Sequence, residues 1–185
     1  TPPRERGEIL RRAYELIMQR QDELALVMTT EMGKPLAEAR GEVAYAAEFF
    51  RWFSEEAVRI GGDQTMTGDG KNRIMVSKEP VGPCVLVTPW NFPLAMGTRK
   101  IGPAVAAGCT MVFKPANLTP LSSLALVDIL IEAGLPRGAP FDLATLSQFG
   151  VSPQLAAHYA DGGWLVRLAH GVYAFPNDEF GVYGA

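Results

Sequence analysis

Apolar residues in the first sixty positions recur at helical spacing. From Arg4 to Arg20, the residues Ile9, Leu10, Ala13, Leu16 and Ile17 share one face and charged residues the other, which predicts an amphipathic helix. A second helix is predicted through Asp22 to Met32, stopped by Gly33 and Pro35. The longest is expected from Pro35 to Ile60, with Leu36, Val43, Ala47, Phe50 and Ala57 on one stripe and Gly61–Gly62 at its end. Then the period changes. Arg73 to Pro80 is short and β-rich, and Cys84 to Thr88 (CVLVT) is a continuous apolar run, as expected of a strand buried on both faces. Pro93 to Gly108 reads as a helix in spite of Gly97, Gly102 and Pro103, Cys109 to Phe113 as a second buried strand, and Pro120 to Gly134 as a well-patterned helix. Strand, helix, strand, helix with short connections predicts α/β architecture: N-terminal helices followed by the first βαβα part of a Rossmann-like parallel sheet, incomplete as it stands.

The texture changes again near residue 140. Phe141 to Gly150 predicts a short helix with Leu143, Leu146 and Phe149 on one side. Val151 to Gly163 predicts another, with Ser152 as N-cap and Pro153 at the first helical position. Trp164 to Pro176 alternates around His170–Gly171, as a two-stranded wing would. Helix, turn, helix and wing outline a small winged helix-turn-helix-like α+β module. Three segments follow: residues 1–138, a junction at 139–140, and residues 141–185.

Composition limits what these segments can do. The chain has 185 residues, 48% of them hydrophobic and 20% charged, in the range of soluble globular proteins. No apolar run approaches the roughly 20 residues needed to span a membrane. Its two cysteines, Cys84 and Cys109, have no metal-ligand spacing, so no metal is expected and a reducing, cytoplasmic setting is. Both are expected to be small core residues with inert thiols. The opening at Thr1 rather than a methionine predicts that the natural start lies upstream. Net charge is −3, and after Pro140 the only strong base is Arg167, against Asp142, Asp161, Asp178 and Glu179. Phosphate binding usually needs a basic footprint, and this segment has the opposite.

Candidate chemistry follows from the parallel strands. Ligands bind outside the carboxyl ends of strands in open parallel sheets, and TPWNFP and KPANLTP occupy that position. If the two strands are neighbours, Asn91 and Lys114 project from one edge. An Asn amide there can donate to a developing oxyanion, and a Lys can hold a ribose hydroxyl or a phosphate. The alternative is a turn asparagine and a solvated lysine. No GxGxxG fingerprint is present.

The run PWNFPLAMGTRKIGPAVAAGCTMVFKPANLTPLSSLAL resembles the first cofactor-binding stretch of the aldehyde dehydrogenase superfamily. ERGEILRRAYELI, EMGKPLAEARGEV, FFRWFSEEA and EPVGPCVLVTPWNFP match that family in order and spacing, so the resemblance covers residues 1–138. TRK together with the helix GEVAYAAEFFRWFSEEAVRI is similar to the succinate-semialdehyde dehydrogenase group. The resemblance implies oxidation of a small aldehyde through a cysteine thioester, with NAD or NADP as cofactor, in a homo-oligomer. It makes Asn91 the side-chain donor of the oxyanion hole, a role typically worth about 3 kcal/mol. It places Thr88, Pro89 and Trp90 along the cofactor together with Lys114, Pro115, Ala116 and Asn117, Lys114 on the adenine-side ribose. It gives Arg99 the distal carboxylate of a semialdehyde acid. Many NAD-preferring relatives carry glutamate where this chain has Asn117; a carboxylate there binds the ribose 2′-OH and repels a 2′-phosphate, so Asn117 tilts the expectation to NADP or dual use.

The family's nucleophilic cysteine, general-base glutamate and second glycine-rich segment lie beyond the point where the match stops, so residues 1–185 are expected to be inactive alone. GVSPQLAAHYADGGWLVRLAHGVYAFP resembles instead the N-terminal winged-helix module of abortive-infection type IV antitoxins. That resemblance implies a second helix facing DNA, with Gln154, His158 and Tyr159 as contacts; the acidic balance favours a packing module that binds no nucleic acid. Three readings stand at this point: a dehydrogenase fragment, a DNA-binding or cofactor-sensing regulator, and a fusion of two partial genes with no function of its own.

Overall fold

A computed structural model describes residues 1–136, 141–142, 147, 151–163, 165–169 and 172–174. The chain divides into two compact units, Thr1–Leu135 and Pro136–Ala185.

The first unit is a helical layer packed on a small parallel sheet. Helix α1 (Pro3–Gln19) buries Ile9, Leu10, Ala13 and Ile17, the stripe that its spacing predicts. Helix α2 (Gln21–Met32) starts almost at once, buries Leu24, Ala25 and Met28, and ends at Gly33 in the left-handed conformation (φ +80°), where a side chain would be strained. Helix α3 (Leu36–Glu56) turns Ala39, Val43, Ala46, Ala47 and Phe50 inward. Gly7 of α1 lets the two helices come close: a Cβ there would sit 2.6 Å from the Ser54 carbonyl of α3. The helix stops four residues short of the expected Ile60. Val58 and Ile60 are exposed, so no apolar contact holds a further turn.

Strands β1 (Asp63–Met66) and β2 (Arg73–Val76) form an exposed antiparallel hairpin. The β-rich reading of residues 73–80 thus holds only to Val76, and β1 lacks the alternation that would have marked it. Strand β3 (Cys84–Val87) pairs in parallel with β4 (Met111–Lys114), in the register Cys84 to Met111 and Val87 to Lys114. Between them runs helix α4 (Ala95–Ala107), and after them helix α5 (Pro120–Glu132), giving the βαβα order expected. Leu86 faces the core formed with Leu94, Ile101, Leu126 and Ile129. The continuous apolar run nevertheless does not mean burial on two faces. Val85 is 73% exposed, Val87 56% and Val112 42%, because the helices cover one face of this pair and nothing among the described residues covers the other.

Arg6 of α1 and Arg20, the residue between α1 and α2, complete the helical layer. Arg6 donates to the Ala106 carbonyl at the end of α4 (3.1 Å), and Arg20 pairs with Glu132 at the end of α5 (2.5 Å). Both place positive charge where helix carbonyls lack partners.

In the second unit, helix α6 (Pro153–Asp161) has the expected cap, with the Ser152 hydroxyl accepting from the Leu155 amide at 3.2 Å. Strand β5 (Phe141–Asp142) pairs with β7 (Val172–Ala174), which pairs with β6 (Val166–Ala169), all antiparallel. The two-stranded wing is therefore present. The helix expected from Phe141 is replaced at its start by a strand: Phe141 and Asp142 take Tyr173 and Val172 as partners, and cross-strand pairing overrides a weak local helical pattern. Leu143, Leu146, Phe149, Gly150, Trp164, His170, Gly171 and the junction at 139–140 lie outside the described residues. No helix among the described residues is long and apolar enough to cross a membrane.

Candidate functional site

The parallel register brings the two candidate loops together. The Thr88 amide, one residue past β3, donates to the carbonyl of Lys114, the last residue of β4 (3.2 Å). TPWN and KPAN thus leave the sheet side by side at its carboxyl edge. Thr88 is buried, and its hydroxyl has no hydrogen-bond partner among the described residues. Pro89, Trp90 and Asn91 are exposed, and Pro115 and Ala116 are half-buried beside them.

Lys114 lies along its own loop. Its ammonium donates to the Pro115 carbonyl (2.9 Å) and to Asn117 Oδ1 (2.8 Å). Lysine has three N–H donors, so one remains for a ligand, and the neutral Asn117 amide adds no charge beside it. Arg99 stands exposed on α4, with buried Thr98 and Ile101 on the opposite side of the helix. Its neighbour Lys100 donates to the Val87 carbonyl (2.5 Å) and so ties α4 to the end of β3. Among the described residues no hydrogen bond or ion pair joins Arg99 to Asn91 or Lys114. Surface hollows of about 350 Å³ (between α1 and α3) and about 370 Å³ (along Tyr45, Phe49 and Trp52) take in none of these residues.

Two residues without an assigned role organise this edge. Glu42 of α3 is 4% exposed, and its Oε1 accepts from the amides of Leu94 (3.1 Å) and Ala95 (3.2 Å) at the start of α4. Helix α4 has no side-chain cap of its own, so the Glu42 carboxylate supplies one from another helix. Its Oε2 accepts from the Lys34 ammonium. Lys34 also donates to the Asn91 carbonyl (3.3 Å) and lies 4.1 Å above the centre of the Phe92 ring. The sequence carries both residues in plain view, in GKP and GEV. The available signal was a glutamate at the buried phase of a helix whose other inward positions are apolar.

A similar device starts α5, where Glu31 accepts from the amides of Leu121 (2.8 Å) and Ser122 (3.0 Å). Neither cysteine is placed to act as a nucleophile. Both are half-buried and free, and burial, followed by the neighbouring Cys109 sulfur, raises the Cys84 pKa above the ordinary thiol value. In the second unit Gln154, His158 and Tyr159 are all exposed on α6, with Gln154 and His158 one turn apart.

Two families match parts of the chain. A model of the aldehyde dehydrogenase family matches residues 1–150, and one of the transcriptional-regulator AbiEi antitoxin N-terminal domain matches residues 129–185, the two overlapping over 129–150. Succinate-semialdehyde dehydrogenase of Paenarthrobacter nicotinovorans is 61% identical over 155 residues, which is 84% of this chain and 34% of that protein. The NADP(+) succinate-semialdehyde dehydrogenase GabD of Escherichia coli is 52% identical over 155 residues, 84% of this chain and 32% of its own. The crystal structure of succinate-semialdehyde dehydrogenase from Burkholderia pseudomallei superposes with a TM-score of 0.71 at 54% identity, covering 74% of this chain and 28% of that one. The chain spans about a third of the length of the curated relatives it matches.

Replacing Glu42 by Ala would strip two amides of their acceptor and leave the Lys34 ammonium without its partner. Losing one member of a buried pair typically costs about 3–5 kcal/mol. Urea unfolding of the Glu42→Ala chain is expected to show a loss of that order, and Glu42→Gln a smaller one, since an amide oxygen still accepts from the helix. A loss under about 1 kcal/mol in the alanine variant would mean that water replaces the carboxylate.

Proposed function

The chain belongs to the aldehyde dehydrogenase family, and we propose that residues 1–138 are the cofactor-entry portion of an NAD(P)-dependent enzyme that oxidises a semialdehyde acid. The observation that carries this reading is the parallel pairing of β3 with β4, which sets TPWN beside KPAN at one sheet edge. In this reading the Asn91 amide donates to the negative charge that develops on the aldehyde oxygen as its carbon is attacked. Thr88, Pro89, Trp90, Pro115, Ala116 and Asn117 flank the cofactor, and Lys114 holds its ribose with its remaining donor. The buried, unpartnered Thr88 hydroxyl fits a polar group at this edge. Arg99 meets the distal carboxylate of the substrate. The cofactor supplies the hydride acceptor when bound. Intact relatives are proposed to work as cytoplasmic homo-oligomers.

Residues 1–185 are proposed to bind without turning over. Thioester chemistry needs a thiolate, and Cys84 and Cys109 are half-buried at the amino ends of β3 and β4, opposite the edge that holds Asn91 and Lys114. The chain incubated with succinate semialdehyde and either NAD⁺ or NADP⁺ is expected to form no reduced cofactor. A rate above that of a heat-denatured sample would overturn this.

Cofactor choice is proposed to rest on Asn117. Its neutral amide beside Lys114 leaves the lysine's charge available to a 2′-phosphate, so NADP or dual use is expected. Substituting Asn117→Glu should weaken NADPH binding relative to NADH by about tenfold, the factor of roughly 1.4 kcal/mol that one added like charge can supply. Fluorescence titration with both reduced cofactors measures the ratio, and an unchanged ratio would remove Asn117 from the specificity argument.

Residues 141–185, after a junction at 139–140, are proposed to be a partial winged-helix module, which the match to the antitoxin N-terminal domain supports. Gln154, His158 and Tyr159 present polar and aromatic groups on α6, but Asp142, Asp161, Asp178 and Glu179 surround them in sequence with one arginine to offset them. We therefore favour a packing module over a DNA reader. A mobility-shift assay with duplex DNA at low salt is expected to show no complex; a salt-sensitive shift that is lost in Gln154→Ala and His158→Ala would restore the DNA reading.

A further inference from the structure

We infer that Lys34 is a positioning residue for Asn91: placed by Glu42, it fixes the middle of the loop that presents the Asn91 amide. The inference rests on the reading of Asn91 as the oxyanion donor and adds what aims it. The loop from Thr88 to Leu94 must carry the chain from the end of β3 into α4. Its two ends are tied through backbone amides, Thr88 donating to the Lys114 carbonyl (3.2 Å) at one end and Leu94 and Ala95 to the Glu42 carboxylate (3.1 and 3.2 Å) at the other. The Ser123 hydroxyl adds a bond to the Pro93 carbonyl (3.2 Å). Between Thr88 and Pro93, the non-local polar contacts among the described residues come from Lys34, at the Asn91 carbonyl and over the Phe92 ring.

Those two contacts lie on either side of one peptide unit. Holding the Asn91 carbonyl and the Phe92 ring restrains the peptide plane that carries the Asn91 Cα, and with Thr88 tied upstream this narrows the directions open to its Cα–Cβ bond. A donor to a transition-state charge must be held within about 0.5 Å and 10–20° to be effective. Asn91 itself is exposed, and among the described residues its side chain has no hydrogen bond to hold it. Lys34 in turn has little freedom. It follows Gly33, whose left-handed conformation ends α2 and turns the chain, and its side chain is 10% exposed against a Glu42 side chain that is 1% exposed. One carboxylate thus fixes both the first turn of α4 and the cation that holds the loop before it.

The experiment uses the 185-residue chain with ¹⁵N-asparagine, which labels four residues, and follows the Asn91 side-chain amide pair, assigned by loss in Asn91→Ser, together with the melting temperature. In the parent chain the Asn91 pair is expected away from random-coil positions. In Lys34→Met it should collapse to them while the other asparagine signals stay in place, and loss of the Glu42 partner should lower the melting temperature by roughly 10 °C. Lys34→Arg keeps both the hydrogen bond and the cation over Phe92 and should restore most of the shift. An Asn91 pair unmoved in Lys34→Met would overturn the proposal, as would Met and Arg variants that behave alike. No cofactor or aldehyde is present, so this outcome does not depend on whether Asn91 meets an oxyanion. That reading fails separately if Asn91→Ser, placed in an intact relative, leaves turnover unchanged.

Discussion

A carboxylate with almost no access to water anchors the first unit. Glu42 comes from the inner face of α3, where its neighbours Ala39, Val43, Ala46 and Ala47 are apolar and fully enclosed. Burying a charge there is costly unless it is paired and hydrogen-bonded. Here every partner is also something the fold has to place: two amides at the open start of α4 and the ammonium of Lys34. The cost of burial is therefore offset only when α4, the Gly33 turn and α3 are in register together. Replacing the pair by apolar residues could match it in stability. It could not reproduce the direction in which α4 starts, because a methyl group does not accept from an amide.

From that point the geometry propagates outward. With its first turn held on Glu42, α4 lays Lys100 against the Val87 carbonyl and packs Gly97 so close to Leu126 that a Cβ would approach it to 2.8 Å. Those contacts seat α5, whose own start is capped by Glu31 from α2. Two acidic residues from the N-terminal helices thus cap the two helices that flank the parallel strands. Their opposite ends meet Arg6 and Arg20 of the same helical layer. The sheet edge owes its position to helices that are distant from it in sequence, and the short strands alone would not set it.

Much of this was legible in the residues. The period-3.6 stripes of α1 and α3 and the βαβα order followed from pattern, and Asn91 and Lys114 stood out because ligands gather where parallel strands end. What pattern could not give was partnership. Lys34 and Glu42 are eight residues apart across a turn and a new helix, and neither local spacing nor composition says that they meet. Residue type misled in one place: Val85, Val87 and Val112 read as two-sided burial, yet an apolar run records what a strand can tolerate, and only the layers beside it decide what is covered. Phe141 and Asp142 failed for a related reason, since their pairing partners lie some thirty residues away in β7.

High identity and physical completeness separate cleanly in this molecule. A relative that is 61% identical is matched over only 34% of its length, so similarity of residues says little about whether a catalytic constellation is assembled. The strand-end loops are a different matter, because their supports are local to the unit: Glu42 and Lys34 before them, Lys114 beside Thr88, Ser123 beneath Pro93. Among the described residues, the groups that hold the TPWNFP loop run from Lys34 to Ser123. On the proposed reading of Asn91, the donor's aim is therefore set by side chains of its own unit, and preorganisation of that loop is a property of residues 1–135.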